Sequence, residues 1–137
     1  MNTFSLRILV ADKVFYQGLC RSLVIPTSDG QYGIQANHEN EIVAVRIGLA
    51  TFTDGDGKRH RAVLSEGICK TEDNEVIIMV ETAERPEDID IIAAQREAAD
   101  AKQALEHHQN VADAKRAQAR MVRAMSRIRA KDRTEID

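Results

Sequence analysis

Every one of the seven glycines lies before residue 68, and no glycine or proline follows Pro86. That asymmetry divides the chain at Glu84-Arg85-Pro86-Glu87-Asp88-Ile89-Asp90. Ahead of this stretch the sequence alternates and turns often, and behind it alanines recur. Pro86 suits the first position of a helix, where its missing N–H would have had no partner. Glu87, Asp88 and Asp90 then place negative charge against the positive end of the helix dipole. The expectation is a β-type unit over residues 1–85 and a helical one over 86–137.

Only 4% of the 137 residues are aromatic and none is Trp, so a core must rest on Val, Ile, Leu and Ala. A net charge of −3 gives the chain no nucleic-acid footprint. No apolar run approaches the ~20 residues of a membrane span. The opening Met1-Asn2-Thr3-Phe4-Ser5-Leu6-Arg7 lacks the basic start, apolar centre and cleavage site of a signal peptide, so a protein of the cytoplasmic side is expected. Cys20 and Cys69 form no CxxC and read as two reduced, buried thiols.

Phe4, Leu6, Ile8 and Val10 alternate as one face of a strand, turned at Asp12-Lys13. Val14-Phe15-Tyr16 leads to Gly18, and Leu19 to Ile25 forms a second strand stopped by Pro26-Thr27-Ser28-Asp29-Gly30. Tyr32-Gly33-Ile34 is short, and Glu41 to Arg46 is strand-like although propensity alone also admits helix. Gly48 to Thr53 and Arg59 to Leu64 flank Asp54-Gly55-Asp56-Gly57, the strongest hairpin signal in the chain. Ile68-Cys69-Lys70 and Val76 to Val80 complete a set that favours a β-sandwich or flattened barrel. The aspartates of the hairpin resemble the opening of a calcium loop, but its twelfth position is Ser65 rather than Glu, so a turn is the reading. His38 and His60 lack ligand spacing, and no nucleophile, phosphate-loop or dinucleotide motif occurs. The β-unit reads as a binding module.

From Ile91, spacings of three and four put Ile91, Ala94, Ala98, Ala101 and Leu105 on one helical stripe. Ala114, Ala117, Met121, Ala124 and Ile128 repeat it. Between them His107-His108-Gln109-Asn110 is polar, with Asn110 placed to cap the second helix. Two helices with so short a link lie antiparallel. A buried methyl contributes about 0.8 kcal/mol, against about 1.5–3 for a buried Leu or Ile. An alanine seam therefore permits close contact but holds it weakly, and a hairpin able to leave the β-body is expected. Acids dominate the first helix. The second carries Lys115, Arg116, Arg120, Arg123, Arg127, Arg129, Lys131 and Arg133, of which Arg116, Arg120, Arg123 and Arg127 share one face. Such a face suits three roles: a solvated surface partly neutralised by the first helix, a dock for an acidic protein, or a phosphate site.

The order of several segments resembles the epsilon subunit of F-type rotary ATP synthases over essentially the whole chain. Phe15-Tyr16-Gln17-Gly18, Thr27-Ser28-Asp29-Gly30-Gln31-Tyr32-Gly33-Ile34 and Leu64-Ser65-Glu66-Gly67-Ile68 are each similar to segments of that family, and all precede an alanine-rich hairpin. The resemblance implies an N-terminal β-sandwich followed by an antiparallel two-helix hairpin, an α+β chain without catalytic residues. It implies a rotor subunit in which Asp29, Gln31, Tyr32, His38 and Glu39 meet the gamma subunit and the c-ring. Arg116, Arg120, Arg123 and Arg127 would meet the beta subunit when the hairpin extends toward the catalytic alpha and beta subunits to restrain ATP hydrolysis. The protein would lie peripherally on the cytoplasmic face of a bacterial plasma membrane, bound to it only through the complex, with no cofactor and no metal.

Two departures from the family pattern qualify this. Where the family often has Pro-Gly-His-Ala-Pro, this chain has Ala36-Asn37-His38-Glu39-Asn40, which is more acidic and is expected to be less rigid. The family's ATP motif, (I/L)-D-x-x-R-A, reads Ile89-Asp90-Ile91-Ile92-Ala93-Ala94, with Ala93 in place of the arginine. Arg123 and Arg127 match the basic pair of the second helix. Losing one charge-assisted contact costs about 1.5–3 kcal/mol, so ATP held by Ile89, Asp90, Ala94, Arg123 and Arg127 is expected to bind weakly. Two alternatives remain beside the rotor role: an ATP sensor whose hairpin folds on nucleotide, and a free-standing β-scaffold dimerising through its helices.

Overall fold

Phe4, Leu6 and Ile8 are almost wholly buried while Ser5 and Arg7 between them are not, so the first strand shows the alternation its sequence requires. The computed structural model describes residues 2–11 and 13–132; Met1, the expected turn residue Asp12, and Arg133 with the rest of 133–137 lie outside the described residues. Among the described residues nine strands form the β-body: β1 Phe4–Val10, β2 Lys13–Thr27, β3 Gly30–Gln35, β4 Glu41–Val45, β5 Gly48–Asp54, β6 Arg59–Leu64, β7 Gly67–Glu72, β8 Glu75–Val80 and β9 Ala83–Glu84. They join in the order β4-β7-β8-β1-β2-β5-β6-β9, with β3 also paired to β2. All pairs are antiparallel except β1 with β8.

The strand that makes this a sandwich is β2. Its first half, Lys13 to Cys20, pairs with β1; beyond an irregularity between Cys20 and Ser22, its second half pairs with β3 and β5. One strand thus belongs to both layers. Between them lie Phe4, Leu6, Ile8, Leu23, Ile25, Ile34, Leu64, Val76 and Ile78, with the free thiols Cys20 and Cys69 buried among them. Burial pushes the Cys20 thiol up to about 11 and the Cys69 thiol up to about 12, so both are protonated at neutral pH. At the open edge the Arg46 N–H donates to the Pro26 carbonyl at 2.9 Å, tying the chain after β4 back to β2.

The expected break at Gly18 and the stop at Pro26 are not there. Pro26 and Thr27 sit in β2 opposite Gln31 and Gly30, and the turn is only Ser28-Asp29. Leu64-Ser65-Glu66-Gly67-Ile68 earns its composition from packing. The Ser65 hydroxyl accepts the N–H groups of Glu81 and Thr82 at 3.0 and 2.9 Å. A Cβ on Gly67 would come within 2.0 Å of the Met79 carbonyl oxygen.

Pro86 opens a single 3-10 turn, Pro86–Asp88, rather than the long helix. The first helix, α1 Ile91–Glu106, starts five residues later, with Asp90 as its N-cap accepting the N–H groups of Ile92 and Ala93 at 3.1 Å each. Glu87 and Asp88 therefore lie outside its first turn. The second helix, α2 Val111–Asp132, is capped by Asn110, whose Oδ1 accepts the Asp113 N–H at 2.8 Å. His107 caps α1 and His108 Nδ1–H donates to the Leu105 carbonyl, so both are turn residues. The alanine seam is as the spacing demands, with Ala94, Ala101, Ala117 and Ala124 buried. A second face of α2 rests on the outside of β5 and β6 through a small cluster of Leu49, Val63, Ile89 and Ala130. Val63 is buried there while its neighbours Ala62 and Leu64 face the core, which is why β6 does not alternate.

Candidate functional site

Three arginines of α2 turn inward. Arg120 Nε donates to Glu97 Oε1 on α1 at 2.5 Å, and Arg127 Nε to Glu84 Oε1 on β9 at 2.7 Å. Arg123 lies with them on the wall of a cleft of about 370 Å³, closed on the other side by Asp88, Asp90, Ala93 and Ala94. The hydrogen bond from Arg120 holds the Glu97 carboxyl below the usual glutamate range and raises Arg120 in turn. Arg116 stands apart at the hairpin tip, paired with Asp113 and largely exposed. In the folded hairpin the arginine face is thus partly neutralised by the first helix and by the last strand.

Of the residues expected to meet ATP, Asp90, Ala94, Arg123 and Arg127 line this cleft. Ile89 does not; it is buried in the cluster with Val63 and Ala130. One oxygen of Asp90 is already committed to two helix N–H groups. Ala93 lines the cleft where the family's arginine would stand. Glu84, Asp88 and Glu97 also line it, and sequence reading did not assign them to the site. Glu97 and Arg120 are 23 positions apart, and only the register of the hairpin brings them together.

A second group lies at the end of the sandwich. Asp29 sits in the exposed β2–β3 turn, with Gln31 and Tyr32 following on β3. The Tyr32 hydroxyl donates to Glu41 Oε1 and lies 3.2 Å from His38 Nε2, whose ring stands edge-on to the tyrosine. Hydrogen bonding to Glu41, with burial and nearby carboxylates adding to it, pushes the Tyr32 phenol up to about 12. Glu39 is exposed beside this triad. Glu41 completes it and was missed from sequence, because its role depends on where the chain after β3 brings the start of β4.

The loop 36–40, which lacks the prolines of the family pattern, is hydrogen-bonded to the turn between β7 and β8. The Asn37 N–H donates to Asn74 Oδ1 at 2.7 Å, and the Asp73 N–H to Asn40 Oδ1 at 3.0 Å. Asn74 in turn donates to the Thr3 carbonyl. The Asp54-Gly55-Asp56-Gly57 hairpin closes on itself: Asp54 Oδ1 accepts the N–H groups of Asp56 and Lys58, and Oδ2 meets His60 Nε2 at 2.8 Å. These contacts, the one with His60 foremost, hold Asp54 below the usual carboxylate range.

Residues 3–86 match the family described as the ATP synthase, Delta/Epsilon chain, beta-sandwich domain. The ATP synthase epsilon chain of Ruminiclostridium cellulolyticum is 33% identical over 97% of this chain and 98% of its own length. That of Shouchella clausii is 33% identical over 93% and 94%. Among solved structures, a chain of the OSCP/F1/c-ring assembly of the Euglena gracilis mitochondrial ATP synthase covers 96% of this chain and 81% of its own, at TM-score 0.80 and 19% identity. One from the central stalk and c-ring of the Tetrahymena thermophila enzyme covers 93% and 95%, at TM-score 0.67 and 14% identity. These last two share the fold. The bacterial relatives carry the assignment: with a third of the positions identical over 93–97% of the chain and a matching β-sandwich family, the chain belongs to the family of ATP synthase epsilon chains, non-catalytic subunits of that complex.

Proposed function

We propose that this chain is a rotor subunit of an F-type ATP synthase whose β-sandwich, residues 1–85, couples rotation and whose hairpin, residues 86–137, restrains ATP hydrolysis when it leaves the sandwich. The observation that carries this reading is the make-up of the hairpin's seat. A small apolar cluster of Leu49, Val63, Ile89 and Ala130 lies between α2 and the body, and beside it stand the Arg127–Glu84 ion pair and a hydrogen bond from Lys131 Nζ to the Pro86 carbonyl at 3.1 Å. Such a contact can be given up at small cost, and Arg120 and Arg127 then become available to carboxylates of the catalytic subunits. Asp29, Gln31, Tyr32, His38 and Glu39 form the end of the sandwich offered to the gamma subunit and the c-ring. The protein would sit peripherally on the cytoplasmic face of the membrane through that complex; no helix among the described residues is long and apolar enough to cross a membrane.

The test is ATP hydrolysis by the cognate catalytic core with the full chain and with a chain ending at Arg85. Lower activity with the full chain alone supports the inhibitory arm; equal activity removes it and leaves coupling.

A second reading rests on the cleft between the helices. Asp90, Ala94, Arg123 and Arg127 converge there as an ATP sensor needs, with Ala93 removing one phosphate contact. Calorimetry with ATP decides it: saturable binding supports a sensor, and its absence leaves a mechanical arm.

A further inference from the structure

The turn that joins β7 to β8 is two residues long, and both of them, Asp73 and Asn74, have positive φ, at 51° and 64°. With Glu72 paired to Glu75 across it, this is the backbone of a type I′ hairpin. Such a turn favours glycine at its second position. Asparagine tolerates a positive φ better than most residues, but glycine adopts it without strain. The chain carries Asn74 there instead.

Both ends of the Asn74 side-chain amide are engaged. Its Oδ1 accepts the Asn37 N–H at 2.7 Å, and its Nδ2 donates to the Thr3 carbonyl at 2.9 Å. The Asn74 carbonyl accepts the Ser5 N–H at 3.2 Å. One residue thus joins the start of β1, the β7–β8 turn and a loop 37 positions back in the chain. Glycine would supply the carbonyl but neither side-chain bond. The loop held in this way, 36–40, has His38 and Glu39 near its centre. Asn37 is exposed and itself at φ +63°, so the chain bends where it is attached. Beyond His38 and Glu39, the Asn40 side chain accepts the Asp73 N–H, so the same turn grips the loop on both sides of them.

We propose that Asn74 is a positioning residue whose side-chain amide presets His38 and Glu39 for the contact with the gamma subunit and the c-ring. The inference rests on the rotor reading and deepens it. A loop ordered before contact loses less conformational freedom on binding than one ordered by the contact. The advantage of asparagine over glycine then lies in the assembled complex, not in the hairpin.

Two glycine variants of the full chain, N74G and D73G, test this. Each places glycine at a positive φ of the same turn, and each keeps the N–H at position 73; only N74G removes the side-chain amide. Amide exchange of the free chain is measured, and then affinity for a complex of the cognate gamma subunit and c-ring. N74G is expected to speed exchange at Asn37 about fivefold, the loss of one hydrogen bond. It is expected to weaken binding about fivefold, since the loop must then be ordered on contact. D73G is expected to change neither. A turn that serves only the hairpin would make the two variants alike in both readouts, and that result overturns the proposal. It is equally overturned if Asn37 exchanges in N74G as in the unaltered chain, or if N74G binds with unaltered affinity. Failure of the unaltered chain to bind at all would overturn the rotor reading itself, and the role of Asn74 with it, whatever the exchange of Asn37.

Discussion

Arg127 Nε and Glu84 Oε1, 2.7 Å apart, join the last turns of α2 to the last strand of the sandwich. Both side chains are about two-thirds buried, at 29% and 31% exposure. A pair of this kind contributes about 1 kcal/mol, beside the small apolar cluster and the hydrogen bond from Lys131 to the Pro86 carbonyl. E84Q and R127A are each expected to raise amide exchange in α2 about fivefold, and the double variant no further. Additive effects in that cycle would show that the pair does not hold the helix.

The cleft between the helices lacks an arginine at one position only. A93R restores it on an exposed first turn of α1, where arginine is a good helix former. ATP affinity is expected to rise at least about tenfold, as one added charge-assisted contact provides. Calorimetry showing no change would mean that Asp90, Arg123 and Arg127 do not receive nucleotide.

Gly67 is required by closeness rather than by backbone angle. In G67A the new Cβ meets the Met79 carbonyl oxygen at 2.0 Å and Val80 Cγ1 at 2.8 Å. Strands β7 and β8 must separate to admit it, at an expected cost of about 3 kcal/mol or more. Urea unfolding with an unaltered midpoint would contradict this packing.

The two tyrosines should both resist ionisation. Tyr32 is pushed up to about 12, chiefly by its bond to Glu41, and Tyr16 is raised by burial and the nearby Asp54. A phenol whose folded value is raised contributes stability that is complete below its ordinary value of about 10 and is lost as pH climbs through the folded value. Phenolate absorbance of the folded chain should therefore stay low at pH ~10, and E41Q should bring the Tyr32 step down. A full two-tyrosine step at the ordinary value would refute the triad.

Glu97 works in the opposite direction. Its carboxyl is depressed by the bond from Arg120, so its contribution is present above the ordinary glutamate value of about 4.3 and is lost as pH falls below it. The side chain is 36% exposed, so the effect is modest and screened by salt. Amides of α1 and α2 should lose protection in acid before those of the sandwich do. Simultaneous loss in both would mean that the hairpin is no separate unit.

The strands were readable where alternation and turn chemistry agreed, as in β1 and β5, whereas β6 was readable from the hairpin turn before it. Gly18 and Pro26 misled because each normally interrupts a strand. Here the Tyr16 side chain folds over Gly18, and Pro26 lies where its carbonyl, not its missing N–H, is wanted. Strand β9 is two residues long and carries no pattern at all. Pro86 correctly marked a helical start, but Asp90 captured the α-helix because its carboxylate can reach two N–H groups at once. The arginine face was legible as a periodicity. Its partners Glu84 and Glu97 were not, since a charge run does not reveal which acids tertiary folding will set opposite it.

The crossing of β2 from one layer to the other has a mechanical meaning. Two sheets held together by side chains alone can slide over one another by repacking. A push on the layer of β1 and β8 here reaches the layer of β5 and β6 along an unbroken run of peptide bonds, from Lys13 to Thr27. A load applied to one face therefore has a covalent path to the other as well as the packing of the core.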